Sequence, residues 1–302
     1  MTHLRPKLSQ PCNLLHLTPL ESKSQAAIAP QPKTTYDGWS LSDRDPAFIR
    51  SILPYSEWFY RYYFQVKSDG WEHIPDGPVL FVGSHNGGLA SPDLHMFMVD
   101  WFRRFGVERP TYGLMHSKMW TVFPQVAQMA TRMGAIQAHP KMAIAAFKQE
   151  ASVLVYPGGA QDVFRPHQQR HQIYLNGRQG FIKLALRQNV PIVPLISTGA
   201  HDTLFILDNC YEQAKRLHDM GMPWLFNIDP EVFPIYFGWP WGLTVGPVPN
   251  IPWPSPIRLR VCPPIRFERY GRDVVKDQGY VDQCYQTVET QMQRHLDELA
   301  KI

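Results

Sequence analysis

His85 and Asp93 bracket the stretch Ser84-His-Asn-Gly-Gly-Leu-Ala-Ser-Pro-Asp93, which follows directly on an apolar run ending at Val82 and Gly83. A histidine is the side chain best suited to take a proton near neutral pH. A carboxylate on its other ring nitrogen would set the tautomer and stabilise the imidazolium. Asn86, Gly87 and Gly88 lie between the two. Spacing alone leaves two readings open, a base with its orienting acid and a capped turn. A second polar turn, Tyr156-Pro-Gly-Gly-Ala-Gln-Asp162, follows the apolar run 153–155. Gly158 and Gly159 there allow close backbone approach to a ligand, or N–H groups aimed at an anion, or only a tight turn. A third, Gly199-Ala-His-Asp202, follows 191–198.

Elements that alternate in type must position these turns. Val79–Val82, "TYGLMH", "GAIQA", "SVLVY" and "PIVPLIST" read as strands. Helical patterns separate them at 94–105, 124–133, 141–150 and 180–188. The alternation predicts an α/β domain with a central, mainly parallel sheet flanked by helices. Ligands in such sheets sit at the carboxyl ends of strands, where all three polar turns fall.

Outside this region, residues 1–44 read as an extended or disordered arm, rich in Pro, Ser, Gln and Lys. A single domain is expected over 45–302. Asp45-Pro46 is a helix start, and Pro54 is expected to break or kink that segment. The aromatic run Trp58–Phe64 fits both a core-packed helix and an anchor at a membrane interface. Residues 222–256, dense in Pro, Trp and Phe, read as irregular chain that walls an apolar pocket, faces a membrane or covers the sheet. A strand at "IRLRVCPPI" and an amphipathic helix over 273–301 close the domain.

The chain has 302 residues, 44% hydrophobic and 19% charged, with a net charge of +4. That charge is too small to point to nucleic acid and is compatible with an anionic membrane or cofactor. The four cysteines are far apart in sequence, with neither zinc nor redox spacing, and read as free thiols. No metal ligand set is expected. No run reaches the ~18 apolar residues of a spanning helix. A membrane association would therefore be peripheral. The chain has no G-x-S-x-G elbow, P-loop or G-x-G-x-x-G.

"VGSHNGGLASPD", "RMGAIQAHPKMAIAAFKQEASVLVYPGGAQD", "GRQGFIKLALRQNVPIVPLISTGAHDTLF" and "FPIYFGWPWGLTVGPVPNIPWPSPIRLRVCPPI", in this order, resemble the glycerolipid acyltransferase superfamily, in particular its monoacylglycerol/diacylglycerol acyltransferase-like branch. The resemblance implies transfer of a fatty acyl group from acyl-CoA or acyl carrier protein to a lipid hydroxyl, on the cytoplasmic side of a membrane and without a further cofactor. It places His85 as general base and Asp93 as its acid. It assigns substrate contacts to Ser84, Asn86, Gly87, Gly88, Pro157, Gly158, Gly159, Gln161, Asp162 and Arg165, with the glycines leaving room for the thioester. Two positions depart from the commonest pattern. Ala90 stands where the acid usually lies, a spacing that suits the diacylglycerol branch. Gln161 stands where an arginine often holds a phosphate. The expected acceptor is therefore neutral: diacylglycerol, an isoprenoid alcohol or a quinol. The alternative is a lysophospholipid held by Arg165 in place of Gln161. A hydrolase using water and a non-catalytic lipid-binding relative are the remaining readings.

Overall fold

The computed structural model describes residues 35–224, 229 and 231–302. Helix α1, Pro46–Trp58, starts at the expected cap, where Asp45 accepts from Phe48 N–H at 2.9 Å. The helix is not broken at Pro54: it continues to Trp58 and passes into a π turn, Phe59–Tyr63. Strand β1 (Lys67–Asp69) and β2 (Leu80–Val82) follow, then α2 (Pro92–Phe105), β3 (Thr111–Met115), α3 (Lys118–Val122), α4 (Pro124–Met133) and β4 (Ala135–Gln137). Next come α5 (Pro140–Lys148), β5 (Ser152–Val155), α6 (Gly159–Val163), α7 (Gly180–Gln188) and β6 (Ile192–Thr198). The remainder comprises β7 (Phe205–Asn209), α8 (Tyr211–Asp219), β8 (Pro234–Gly238), β9 (Gly242–Val245), β10 (Arg258–Val261) and α9 (Gln278–Leu299).

Seven strands form one sheet in the order β1-β10-β6-β2-β5-β3-β4, and only the β10–β6 pair is antiparallel. The expected mainly parallel α/β fold is therefore present. Strand β2 is buried at all its positions because helices cover both sheet faces. On one side Met142, Phe181, Ile182, Val288 and Met292 pack against the sheet. On the other, Phe97, Trp101 and Trp71 pack around Phe81, with Trp71 and Phe97 stacked at 5.4 Å.

Two further expectations are corrected. The arm was expected to reach residue 44, yet 35–44 pack on the domain: Trp120 Nε1 donates to Tyr36 O at 2.9 Å and Gln137 N–H to Gly38 O at 3.0 Å. The expectation for 1–34 lies outside the described residues. The stretch 222–256, expected to be irregular, contributes β8 and β9 to a separate antiparallel sheet, β7-β8-β9. Prolines and tryptophans bound these short strands on both sides, which masks their period of two.

Candidate active site

The strand order brings the three polar turns together. β2 lies between β5 and β6 and runs parallel to both, so their carboxyl ends share one edge of the sheet. His85, Tyr156 and His201 follow these three strands in turn. β2 also marks the reversal of strand order, the position at which such sheets bind ligands.

His85 is half-buried, and its ring packs on Tyr156 at 4.8 Å. Its backbone is pinned, with the N–H donating to Asp162 Oδ2 at 2.6 Å and the carbonyl accepting from Arg165. Its Nδ1 lies 3.3 Å from Ser91 Oγ. Ser91 spends its own proton on Gly88 O, so its oxygen is free to accept from Nδ1–H. Nε2 is left as the nitrogen able to take a proton. Burial and the Arg165 charge lower the ring pKa to about 3, so the imidazole is neutral at pH 7.

Asp93 does not meet His85. No hydrogen bond joins them among the described residues, which corrects the dyad expected from the motif. Asp93 Oδ2 accepts from Asn86 Nδ2 at 2.8 Å and Ser197 Oγ at 2.7 Å, and Oδ1 from Leu94 N–H at 2.9 Å. The cause is the long loop. Gly87 and Gly88 take φ of +72° and +67°, and a short 3-10 turn carries the chain to Ser91 before α2 begins. That places Ser91 against the ring and the carboxylate beneath Asn86. Burial raises the Asp93 pKa against the pull of its three donors.

Beneath His85 lies a buried polar network. Arg165 is 4% exposed. It donates to Asp162 Oδ1 at 2.7 Å, Asn86 Oδ1 at 2.6 Å and Gln169 O at 3.2 Å, besides His85 O. Asp162 also accepts from Ser84 Oγ at 2.8 Å. Burial pushes Asp162 up to about 7 even beside that guanidinium. His201 Nε2 donates to Arg165 O at 3.0 Å, and burial with the Arg165 charge lowers its pKa to about 3.

Ser84, Asn86, Asp162 and Arg165 were expected to touch substrate. All are buried and hold the His85 loop in place. Arg165 is also corrected as a substitute phosphate ligand, since every bond it makes is internal. The glycines do not clear space for a thioester. A Cβ on Gly87 would sit 2.5 Å from Thr203 Oγ1, one on Gly88 2.6 Å from Leu204 Cδ2, and one on Gly158 would strike Asp162 and Tyr174. They let the loops pack on one another. A Cβ on Gly159 would meet the Arg178 guanidinium at 2.7 Å. Pro157 is buried in the same turn. Gln161 is exposed and accepts from Tyr174 Oη at 2.9 Å. Sequence reasoning missed Ser91, Ser197 and Tyr156. Ser91 carried a signal, a serine directly before a proline at a helix start. The other two had none beyond their place at strand ends.

The diacylglycerol acyltransferase family profile matches residues 58–295. A protein of Mycobacterium tuberculosis is 27% identical over 261 residues, covering 83% of this chain and 68% of its own length. Diacylglycerol O-acyltransferase 1 of Schizosaccharomyces pombe is 24% identical over 229 residues, 74% of this chain and 64% of the yeast protein. The solved 1-acyl-sn-glycerophosphate acyltransferase of Thermotoga maritima matches with a TM-score of 0.45 and 14% identity, over 83% of this chain and 79% of its own. With the profile spanning most of the chain, this protein belongs to the diacylglycerol acyltransferase family and is a lipid acyltransferase.

Proposed function

We propose that the protein transfers a fatty acyl group from an acyl thioester to the hydroxyl of a neutral lipid alcohol at a membrane surface. His85 Nε2 takes the hydroxyl proton while Ser91 holds the other side of the ring. The alcohol oxygen attacks the thioester carbonyl, and the new C–O bond forms as the C–S bond breaks. The departing thiolate receives the proton from the imidazolium. Arg165 and Asp162 keep the loop in register, and Asp93 with Ser197 fixes Asn86 beneath it.

One observation carries the neutral acceptor. The cation inside the motif network, Arg165, is buried and fully bonded, and the exposed position of the glycine turn is the uncharged Gln161. A phosphate brought into a partly dry cleft needs a fixed counter-charge. A lysophosphatidic acid acceptor is the second reading, favoured by Arg178, whose half-exposed guanidinium lies against Gly159 with its carboxylate partner Glu231 at 3.9 Å.

The membrane mode is supported by apolar surface. No helix among the described residues is long and apolar enough to cross a bilayer. Tyr60 and Phe64 of the aromatic run are buried in the core, while Trp58, Phe59 and Tyr62 are exposed, which supports an anchoring role for that outer face. The small sheet carries a second apolar face. Phe205 pairs with Phe237 and Phe237 with Leu243, and all three are exposed, as are Trp239 and Trp241. Tyr63 Oη donates to Pro252 O at 2.8 Å and ties the two regions together. Trp and Tyr favour the headgroup boundary.

The test offers labelled palmitoyl-CoA, and separately palmitoyl-acyl carrier protein, to the purified protein with dioctanoylglycerol, dodecanol or lysophosphatidic acid. Esters of the neutral alcohols are expected, and Gln161→Arg should shift the preference towards lysophosphatidic acid. A wild-type protein that already prefers lysophosphatidic acid refutes the reading. Acyl release with no acceptor present would mark a hydrolase.

A further inference from the structure

Asn250 lies in the Pro-rich connection between β9 and β10 and is 9% exposed. Neither Oδ1 nor Nδ2 of its amide has a hydrogen-bond partner among the described residues. Burying an amide without partners costs free energy that an apolar side chain of the same volume would not. The surrounding chain is held firmly. Val248 O accepts from Tyr236 Oη at 2.7 Å, and Pro249 O from Trp241 Nε1 at 2.8 Å. Ile251 N–H donates to Trp239 O at 2.8 Å and Trp253 N–H to Thr203 O at 2.9 Å. A segment bonded on both sides of Asn250 thus leaves its side-chain amide without a partner among the described residues.

The amide is aimed at the motif loop. Its Oδ1 lies 3.0 Å from the point where a Cβ on Gly88 would sit, and Leu204 and Phe164 flank the same spot. Gly88 is three residues from His85. A neutral group offering both donor and acceptor, in apolar surroundings, matches a hydroxyl beside an ester carbonyl. It matches an anion poorly, because Oδ1 would face negative charge.

We infer that Asn250 is an acceptor-binding residue: its amide receives the hydroxyl and ester groups of a neutral lipid alcohol beside Gly88. The inference rests on the neutral-acceptor reading. The experiment measures Tm, and kcat and KM for both substrates, in wild type, Asn250→Leu and the near-isosteric Asn250→Asp. Dioctanoylglycerol is the acceptor and palmitoyl-CoA the donor. For Asn250→Leu, Tm should stay level or rise, because an unsatisfied buried amide is gone. KM for dioctanoylglycerol should rise at least about tenfold, the cost of roughly one lost substrate hydrogen bond. KM for palmitoyl-CoA should hold within about twofold, well under that effect. Asn250→Asp should raise the acceptor KM similarly. A fall in Tm or failure of Asn250→Leu to fold assigns the amide a structural role and overturns the inference. So does a rise in donor KM alone, or unchanged kinetics. Wild type that acylates lysophosphatidic acid but neither dioctanoylglycerol nor dodecanol sinks the neutral-acceptor reading itself. Active wild type with an indifferent Asn250→Leu sinks only the inference.

Discussion

Replacing Arg165 with methionine would test the network that seats His85. Methionine keeps most of the volume and removes the charge. Asp162, fully buried, would lose its cation, and Asn86 Oδ1, His85 O and Gln169 O would lose a donor. Breaking one side of a buried pair costs about 3–5 kcal/mol, because the surviving charge is uncompensated. The loss should depend on pH, with a definite sign. Asp162 already has its folded pKa raised to about 7, so the folded state holds a proton that the unfolded state releases near 3.8. Stability attributable to that carboxyl therefore falls as pH rises through this window. Without Arg165, which lowers the Asp162 pKa, the window extends above 7. Between pH 7 and 8 the variant keeps losing stability after the wild type has levelled off, by up to about 1.4 kcal/mol. Arg165 also depresses His85 and His201, so its loss lets both rings charge more easily in acid and further narrows the deficit there. Urea unfolding at pH 6 and pH 8 should show the deficit larger at pH 8. The double variant Arg165→Met, Asp162→Asn should recover part of it. A deficit below about 1 kcal/mol, as for an exposed pair, or one equal at both pH values and untouched by Asp162→Asn, would refute the network.

His85→Ala should lower acyl transfer ~10²–10⁴-fold with an intact circular dichroism spectrum, and near-normal turnover would remove its role as base. The acid limb of kcat/KM should lie well below the ordinary histidine value of 6.5, because the folded ring stays neutral to lower pH; a limb centred at 6.5 would contradict the site. Asp93→Asn should cost stability as well as rate. Asn86 Nδ2, Ser197 Oγ and Leu94 N–H all donate to that carboxylate, and the new amide nitrogen leaves one of them unmet, at about 1–3 kcal/mol. An unchanged Tm would count against the observed geometry. Wild type should float with anionic liposomes, and Trp58→Ala with Tyr62→Ala should float less; equal flotation moves the contact to the β7-β8-β9 face.

Local pattern alone determined the strands that end at Val82, Val155 and Thr198, the helix cap at Asp45, and the polar turns that carry His85, Gly158 and His201. These arise from apolar periodicity and from Gly and Pro as punctuation, which act over a few residues. The motif also marked His85 from the sequence. The partners of His85 were another matter. Asp162 lies 77 residues from the N–H it accepts, and Ser197 lies 111 from Asn86. Only the order β6-β2-β5 brings such pairs together, because it sets three loops from distant segments on one sheet edge. The family resemblance paired Asp93 with His85, but backbone turns at Gly87 and Gly88 decided that Ser91 meets the ring instead. Asn250 carried no signal at all, since an unspent amide is defined by what packs around it. Hydrogen-bond partnership and burial depend on neighbours in space, and those are set by the tertiary fold.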